Sequence, residues 1–564
     1  MLRPGAERLR VALRRGERAW LAGAAAIMAG ALVLRLWGIR HGLPYVYNAD
    51  ENAHFVPRAV GMFGHGYDPR YFVNPPAYTY LVHFALDLRY GSREAVGDAF
   101  VDRTGPFEVA RVVSALLGTA AVGLLAWAGR RLLSPAAGLI AGALLAVAFL
   151  PVHYGHLALN DVPTLAPACL SLLGVATIVR GGSPAGYAVA GVGLGLACAT
   201  KYTAAILVLC IVAAAAVAPA PLAARARGLV LAGVLSGVAF LVANPYALLD
   251  LSAFREGLAH QSETAGDAGG KLGLGKEGGS VYYLGTATWG LGWLPALAAL
   301  AGAVGLGLRR RRLAAVLVPA PLVFLLLMGT QERFFARWLL PVYPLLCLLA
   351  AWAAVAAASR LAPRLRLATP VAVAAAGVAL CAQGVVYSVH NDVVLSRPDT
   401  RQLARDWMVA HVPIRSKVVI EPFLPAAWAA DAESATRGTG NGFRWNKWPT
   451  TRGGVRFEDY ERTTRPALLG SYARGGYCWV VTGSTQYGRA FAAPREVPHA
   501  IAYYAALARE GQLVYEVRPA GGATPFSFDF SFNAYPLQYA RMGPEVKIYR
   551  LRGGRCGVKY AQGT

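Results

Sequence analysis

Two adjacent carboxylates, Asp50 and Glu51, stand in the run YNADENAHF beside Asn48, Asn52 and His54, just after the first long apolar stretch of the chain. An ionisable group beside hydrocarbon is costly, so carboxylates at a membrane edge suggest function. On a helix, neighbours point about 100° apart, so the pair need not share a task. One carboxylate can take a proton from a hydroxyl while the other contacts a metal or holds the loop. Capping explains the same residues equally well, since NADENAHF is also a good helix start with acidic residues in its first turn.

A second polar group, HYGHLALNDVPTL, follows the third apolar run and supplies His153, His156, Asn160 and Asp161. Here too a cap ahead of Pro163 competes with a chemical role. Cations come next. Lys201 interrupts apolar sequence in LACATKYTAAI, and Arg333 and Arg337 lie in TQERFFARWLLPVYP. A cation at headgroup depth can bind a lipid phosphate, arginine through a two-pronged fork and lysine as a point charge. Snorkelling to the interface is the alternative, and it is as good an account of Arg333. Carboxylates and cations on one face suit a phosphate-linked donor meeting a nucleophilic acceptor.

These residues need elements to carry them, and the composition says which. The 564-residue chain is 55% hydrophobic and only 15% charged, against about 25% charge in soluble domains. Apolar runs long enough for a bilayer recur near 19–38, 108–129, 136–152, 162–179, 185–200, 203–221, 228–245, 284–308, 313–330, 338–358 and 368–388, about eleven in all. The expected fold class is therefore a polytopic α-helical membrane protein. The net charge of +24 gathers in arginine clusters between these runs, such as Arg130–Arg131 and Arg309 to Arg312. That is the positive-inside pattern, and it argues for topology and against a nucleic-acid partner. Arg3, Arg8, Arg10, Arg14, Arg15 and Arg18 precede the first run, which lacks a small-residue cleavage site and reads as a retained helix.

With the amino end cytoplasmic, the threading keeps every arginine cluster inside. It sends Asp50, Glu51, Asp161 and the Arg333–Arg337 segment outside. The expected organisation is a cytoplasmic segment 1–18, a transmembrane domain 19–390 with outer loops 39–107 and 246–283, and an extracytoplasmic α/β domain 391–564. In the first outer loop, DENAHFVPRAVGMF and PPAYTYLVHFALDLRYG read as interfacial helices. The glycine-rich GDAGGKLGLGKEGGS lacks the phosphate-loop spacing and a preceding strand, so it reads as a loop. In the last domain, TRQLARDWMVAHV and 498–510 read as helices, and KVVIE, CWVVTGS, QLVYEV and VKIYRL as strands. Cys478 and Cys556 share that domain, where an oxidising compartment would permit but not require a disulfide. No Cys/His zinc spacing occurs, and the metal stays unknown.

In order along the chain, YNADENAHF, VNPPAYTYL, HLALNDVPTL, GLACATKYT and RWLLPVYPLL resemble the integral-membrane GT-C glycosyltransferases, over residues 19 to about 360. The similar branch is glycosyltransferase family 39, which holds protein O-mannosyltransferases and lipid A aminoarabinose transferases. The resemblance implies a GT-C fold and transfer of a hexose or pentose from a polyprenyl-phosphate sugar to an extracytoplasmic protein, lipid or cell-envelope glycan at the cell membrane. It implies Asp50 as catalytic base with Glu51 its companion, and Asp161 as a second acidic site residue in contact with substrate or metal. It implies Lys201 and Arg337 as the cations holding the lipid phosphate. Arg333 and Arg70 are further donor-side candidates. Asn48, His54, Asn74, His156 and Asn160 are candidates for acceptor or substrate contact. Many relatives carry lysine before the paired prolines of the first loop, where this chain has Asn74 before Pro75 and Pro76, so Arg70 or Arg58 would substitute. Reaction without cofactor beyond a possible divalent metal ion is expected. The rivals are a glycolipid transporter or flippase, against which the lack of matching internal halves argues, and a non-catalytic glycan-binding scaffold using aromatic residues such as FSFDFSFNAYPLQY.

Overall fold

The computed structural model describes residues 4–266, 272–273, 278–430, 442–448, 459–522 and 537–556, with side chains described from residue 16 onward except at 264–266. Most of the glycine-rich run 266–280 and of the aromatic run 526–539, and the arginines before Arg18, therefore lie outside what can be described. Contacts divide the chain into two units. The first comprises Met1–Ile39, Ala53–Asp267 and Glu277–Asp392, and the second Arg40–Asn52, Ala268–Lys276 and Val393–Thr564. The beginning of the first outer loop, expected to travel with the helical domain, thus groups with the C-terminal residues.

The first unit is helical. Among the described residues seven helices are long and apolar enough to cross a membrane, or eight if Pro135–Val147 and Phe149–Gly155, bent by 53°, make one span. Leu165–Gly181, Pro184–Thr200 and Tyr202–Val217 are apolar but shorter. Each expected run thus coincides with a helix, while length and composition qualify seven or eight of them. Leu165–Gly181 and Pro184–Thr200 are largely buried in the bundle. Gly191, on Pro184–Thr200, sits so near the helix Leu222–Ala243 that an added Cβ would come 2.3 Å from the carbonyl oxygen of Ala232. Small residues permit such close approach where lipid offers no hydrophobic drive to pack helices. The first-loop helices are also present, as Ala49–Ala53, Phe55–Gly61 and Ala77–Tyr90, with a further helix Arg93–Asp102.

The second unit is a five-stranded mixed sheet ordered β2-β1-β3-β5-β4, with β1 Lys417–Ile420, β2 Asn446–Lys447, β3 Tyr477–Gly483, β4 Gly511–Val517 and β5 Val546–Leu551. Successive side chains point to opposite faces of a strand. Accordingly Val418, Val481 and Ile548 join one core with Met408 and Trp428, and Val419, Val480 and Leu551 join another with Tyr472, Tyr503 and Leu507. Both faces are covered by helices, Thr400–His411 on one and Ala467–Gly475 and Pro498–Glu510 on the other. The four strands and two helices expected from patterning all form. The two-residue β2 and the helices Ala467–Gly475 and Ser484–Ala492 had no such signal. Cys478 and Cys556 are joined in a disulfide across a sequence separation of 78. In the chain-entropy account a loop of that size stabilises by roughly 4–5 kcal/mol.

Candidate functional site

The break at Lys201 builds the centre of the first unit. The helix Pro184–Thr200 ends there because Lys201 turns extended, at φ −153° and ψ 122°, before a 3-10 turn Tyr202–Leu207 resumes the rise. Freed helix carbonyls inside a bundle must find donors. The Asn160 amide donates to the carbonyl of Thr200 at 2.7 Å, and the Asn244 amide to that of Ala199 at 3.3 Å. The carbonyl end of the helix also favours a cation beside it. The Lys201 ammonium pairs with Asp161.

Asp161 sits in the turn between the helices Phe149–Gly155 and Leu165–Gly181, and Asn160 fixes that turn by accepting from the Thr164 hydroxyl at 2.7 Å. The Asp161 carboxylate is buried; one oxygen meets Lys201 and the other lies 3.7 Å from Nε of Arg337. Arg337 reaches in from a 3-10 turn Ala336–Val342, its guanidinium 4.5 Å from the ring centre of Phe335. Phe335 also receives Arg333, at 5.2 Å. One carboxylate and two cations, far apart in the chain, thus meet in one buried cluster.

First-loop residues join this cluster through Asn160. Its side-chain amide donates to the Asn74 side-chain oxygen Oδ1 at 3.5 Å, and the Asn74 side-chain amide donates to the Tyr71 hydroxyl at 3.0 Å. The Tyr71 ring stacks on His54 at 5.0 Å and lies 3.9 Å from the Arg58 guanidinium carbon. Beside the cluster lies an apolar cavity of about 760 Å³, walled by Tyr80, Leu81, Phe84, Leu170 and Tyr246 and reaching Pro163 and Thr200, close neighbours in sequence of Asp161 and Lys201.

Other candidates lie elsewhere. The Arg70 side chain is 87% exposed and 3.9 Å from Asp68, outside the hydrogen-bonded network around Asp161. His156 is fully buried with its ring nitrogens 2.8 and 2.9 Å from the carbonyls of Val152 and Trp37, and one of them 3.5 Å from Asp392. It belongs to a second buried polar group, of which the sequence reading singled out His153 and His156 but not Arg35, Asn391 or Asp392. His153 meets Asn391 at 2.8 Å, Asn391 meets Asp392 at 3.2 Å, and Arg35 donates to the carbonyls of Ala31, Ala146 and Leu145. Its signals were present: a charge inside the first apolar run and "HND" closing the last.

In the second unit, Asn48 does cap a helix, accepting from the Glu51 backbone N–H at 3.1 Å, and Asp50 and Glu51 fall in its first turn. Glu51 is buried and Asp50 half-buried. The capping reading of this motif is therefore realised by Asn48. Among the described residues no group of three or more histidine, cysteine or carboxylate side chains is placed to hold a metal ion.

This architecture can be compared with known proteins. A family model described as dolichyl-phosphate-mannose-protein mannosyltransferase matches residues 104–247, a stretch holding Asp161 and Lys201. No curated relative matches the sequence. The solved structure of apo ArnT from Cupriavidus metallidurans superposes with a TM-score of 0.54 at 14% identity, covering 94% of this chain and 98% of that one. ArnT bound to undecaprenyl phosphate gives 0.51 at the same identity and coverage. The apo oligosaccharyltransferase of Archaeoglobus fulgidus gives 0.53 at 14% identity, over 85% of this chain and 72% of that one. The fold is that of the GT-C glycosyltransferases. The likeness to apo ArnT extends over nearly the whole chain.

Proposed function

We propose that the protein transfers a sugar from a polyprenyl-phosphate donor to a hydroxyl of an extracytoplasmic acceptor, with inversion at the anomeric carbon. The observation that carries this reading is the Asp161–Lys201–Arg337 cluster next to an apolar cavity of about 760 Å³. A lipid phosphate needs cations at one end and hydrocarbon at the other. Lys201 and Arg337 would take the phosphate, the cavity the first isoprene units, and Asp161 would aim the two cations between turnovers. That ArnT has been solved with undecaprenyl phosphate supports the same class of donor.

In the reaction, the acceptor oxygen bonds to the anomeric carbon as the bond to the phosphate oxygen breaks, and the bonding pair leaves with the lipid phosphate. Its growing charge meets Lys201 and Arg337, a preorganised effect commonly worth a few kcal/mol per group. Asp50 receives the acceptor proton, with Glu51 beside it in sequence, and general-base help of this kind gives roughly 10²–10⁴-fold. Asn74, Asn160 and His54 are proposed substrate contacts. The amino terminus would be cytoplasmic and the α/β unit extracytoplasmic. The Cys478–Cys556 disulfide fits that side, where oxidising conditions keep it. The test is Asp50→Asn, which should insert normally and bind polyprenyl phosphate as wild type does, yet lose transfer. Near-normal turnover in that variant removes Asp50 from the base role.

A further inference from the structure

The acidic turn belongs by its contacts to the second unit, and the contacts have a specific geometry. Arg401 opens the helix Thr400–His411 and is buried; its Nε and one terminal nitrogen donate to the two oxygens of Asp399 at 2.9 and 2.7 Å. A two-pronged pair of this kind fixes the plane of the guanidinium as well as its place. Asp399 is itself fixed, because it caps the same helix by accepting from the Arg401 N–H at 2.8 Å. The guanidinium carbon lies 3.9 Å from the ring centre of Tyr47. One turn later Arg405 donates to the carbonyls of Trp428 and Ala430, and its guanidinium carbon lies 5.2 Å from the Tyr45 ring.

Residues four apart on a helix are spaced by about 6 Å. Two arginines one helical turn apart receive two tyrosines two residues apart. Between those tyrosines Val46 is buried at φ +52°, a left-handed conformation that a β-branched residue holds only where its surroundings dictate it. Immediately after Tyr47 come Asn48, the cap, and the helix Ala49–Ala53 that bears Asp50. The buried Tyr47 hydroxyl has no hydrogen-bond partner among the described residues, so this tyrosine is used as a ring.

We propose that Arg401 and Tyr47 are positioning residues, through which the C-terminal unit holds the Asp50-bearing turn in its working orientation. The proposal rests on Asp50 acting as the base. It gives the soluble unit a share in turnover, distinct from a role as a cover or an acceptor-recognition module.

The test uses the full-length protein in lipid, with two measurements on Arg401→Met, Tyr47→Leu and Tyr47→Phe. Backbone hydrogen exchange over residues 45–52 should rise in Arg401→Met and Tyr47→Leu. In both, kcat should fall about a hundredfold, the scale of a small misplacement of a reacting group, while the donor KM stays within twofold. Tyr47→Phe, which keeps the ring, should recover what Tyr47→Leu loses. A general loss of folding would instead lower the active fraction and leave the properties of the remaining active protein unchanged. Raised exchange with unchanged kcat overturns the proposal, as does unchanged exchange. If wild-type protein transfers no sugar, the reading of Asp50 fails on that result alone, and the exchange arm still decides whether Arg401 holds the turn.

Discussion

Replacing Lys201 and Asp161 one at a time separates a phosphate-binding cluster from an inert ion pair, because the two changes should move lipid binding in different directions. A phosphate about 4 Å from one cation gains on the order of 4 kcal/mol at an effective dielectric of 20. Asp161 already occupies Lys201 and lies 3.7 Å from Arg337, so an arriving phosphate gains only the surplus. Taking half of the gross term, Lys201→Ala should cost about 2 kcal/mol, or roughly 30-fold in affinity for polyprenyl phosphate. Asp161→Asn removes the carboxylate that both cations share. Breaking a buried pair this way costs about 3–5 kcal/mol of stability. Polyprenyl phosphate should bind that variant at least as tightly as wild type and raise its melting temperature more. The assay is lipid-dependent thermal stabilisation of each purified variant over a polyprenyl phosphate titration. Equal weakening in both variants would refute the reasoning, since Asp161 would then be a direct partner of the ligand.

Two further outcomes follow from buried groups outside that cluster. Burial pushes the Glu421 carboxyl up to about 8, opposed by the bonds it accepts from the Gly483 N–H and the Tyr504 hydroxyl, and pushes Glu461 up to about 7. A carboxyl raised on folding holds its proton more tightly in the folded state, so stability is fullest below the ordinary carboxylate range and is lost as pH rises towards 8. Melting of the full chain followed by tryptophan fluorescence should therefore decline from pH 5 to 8, and Glu421→Gln should flatten that decline; an unchanged slope counts against it. Gly118→Ala would bring a methyl 2.7 Å from Val162 and 2.9 Å from Nε of Arg35. Overpacking of that kind costs about 1–3 kcal/mol, read as a lower melting temperature, and an unaltered one would mean the buried arginine has room to move.

Much of this architecture was legible in the sequence because local patterns dictate it. Hydrophobic length marked the helices, and alternation marked β1, β3, β4 and β5. Lys201 stood out as a charge in the middle of apolar sequence, Asp161 as a carboxylate between two apolar runs, and Arg337 as a cation at an outer membrane edge. What stayed hidden depends on contacts between distant residues. Nothing local in TYR-rich residues 45–47 says that Arg401 and Arg405 will receive their rings. A single arginine late in an apolar run, as Arg35 is, has the pattern of an interfacial anchor, and only folding brings Asp392 and three carbonyls to it. The span count was less sharp than the runs suggested, since buried helices such as Pro184–Thr200 are broken where they carry the site.

The most direct measurement follows donor and acceptor together by mass spectrometry, with purified protein in lipid and a panel of polyprenyl-phosphate sugars. The account predicts that one donor is consumed, with polyprenyl phosphate and a glycosylated acceptor appearing in equal amounts. Donor recovered intact, whether left in place or carried to the other leaflet, would contradict it.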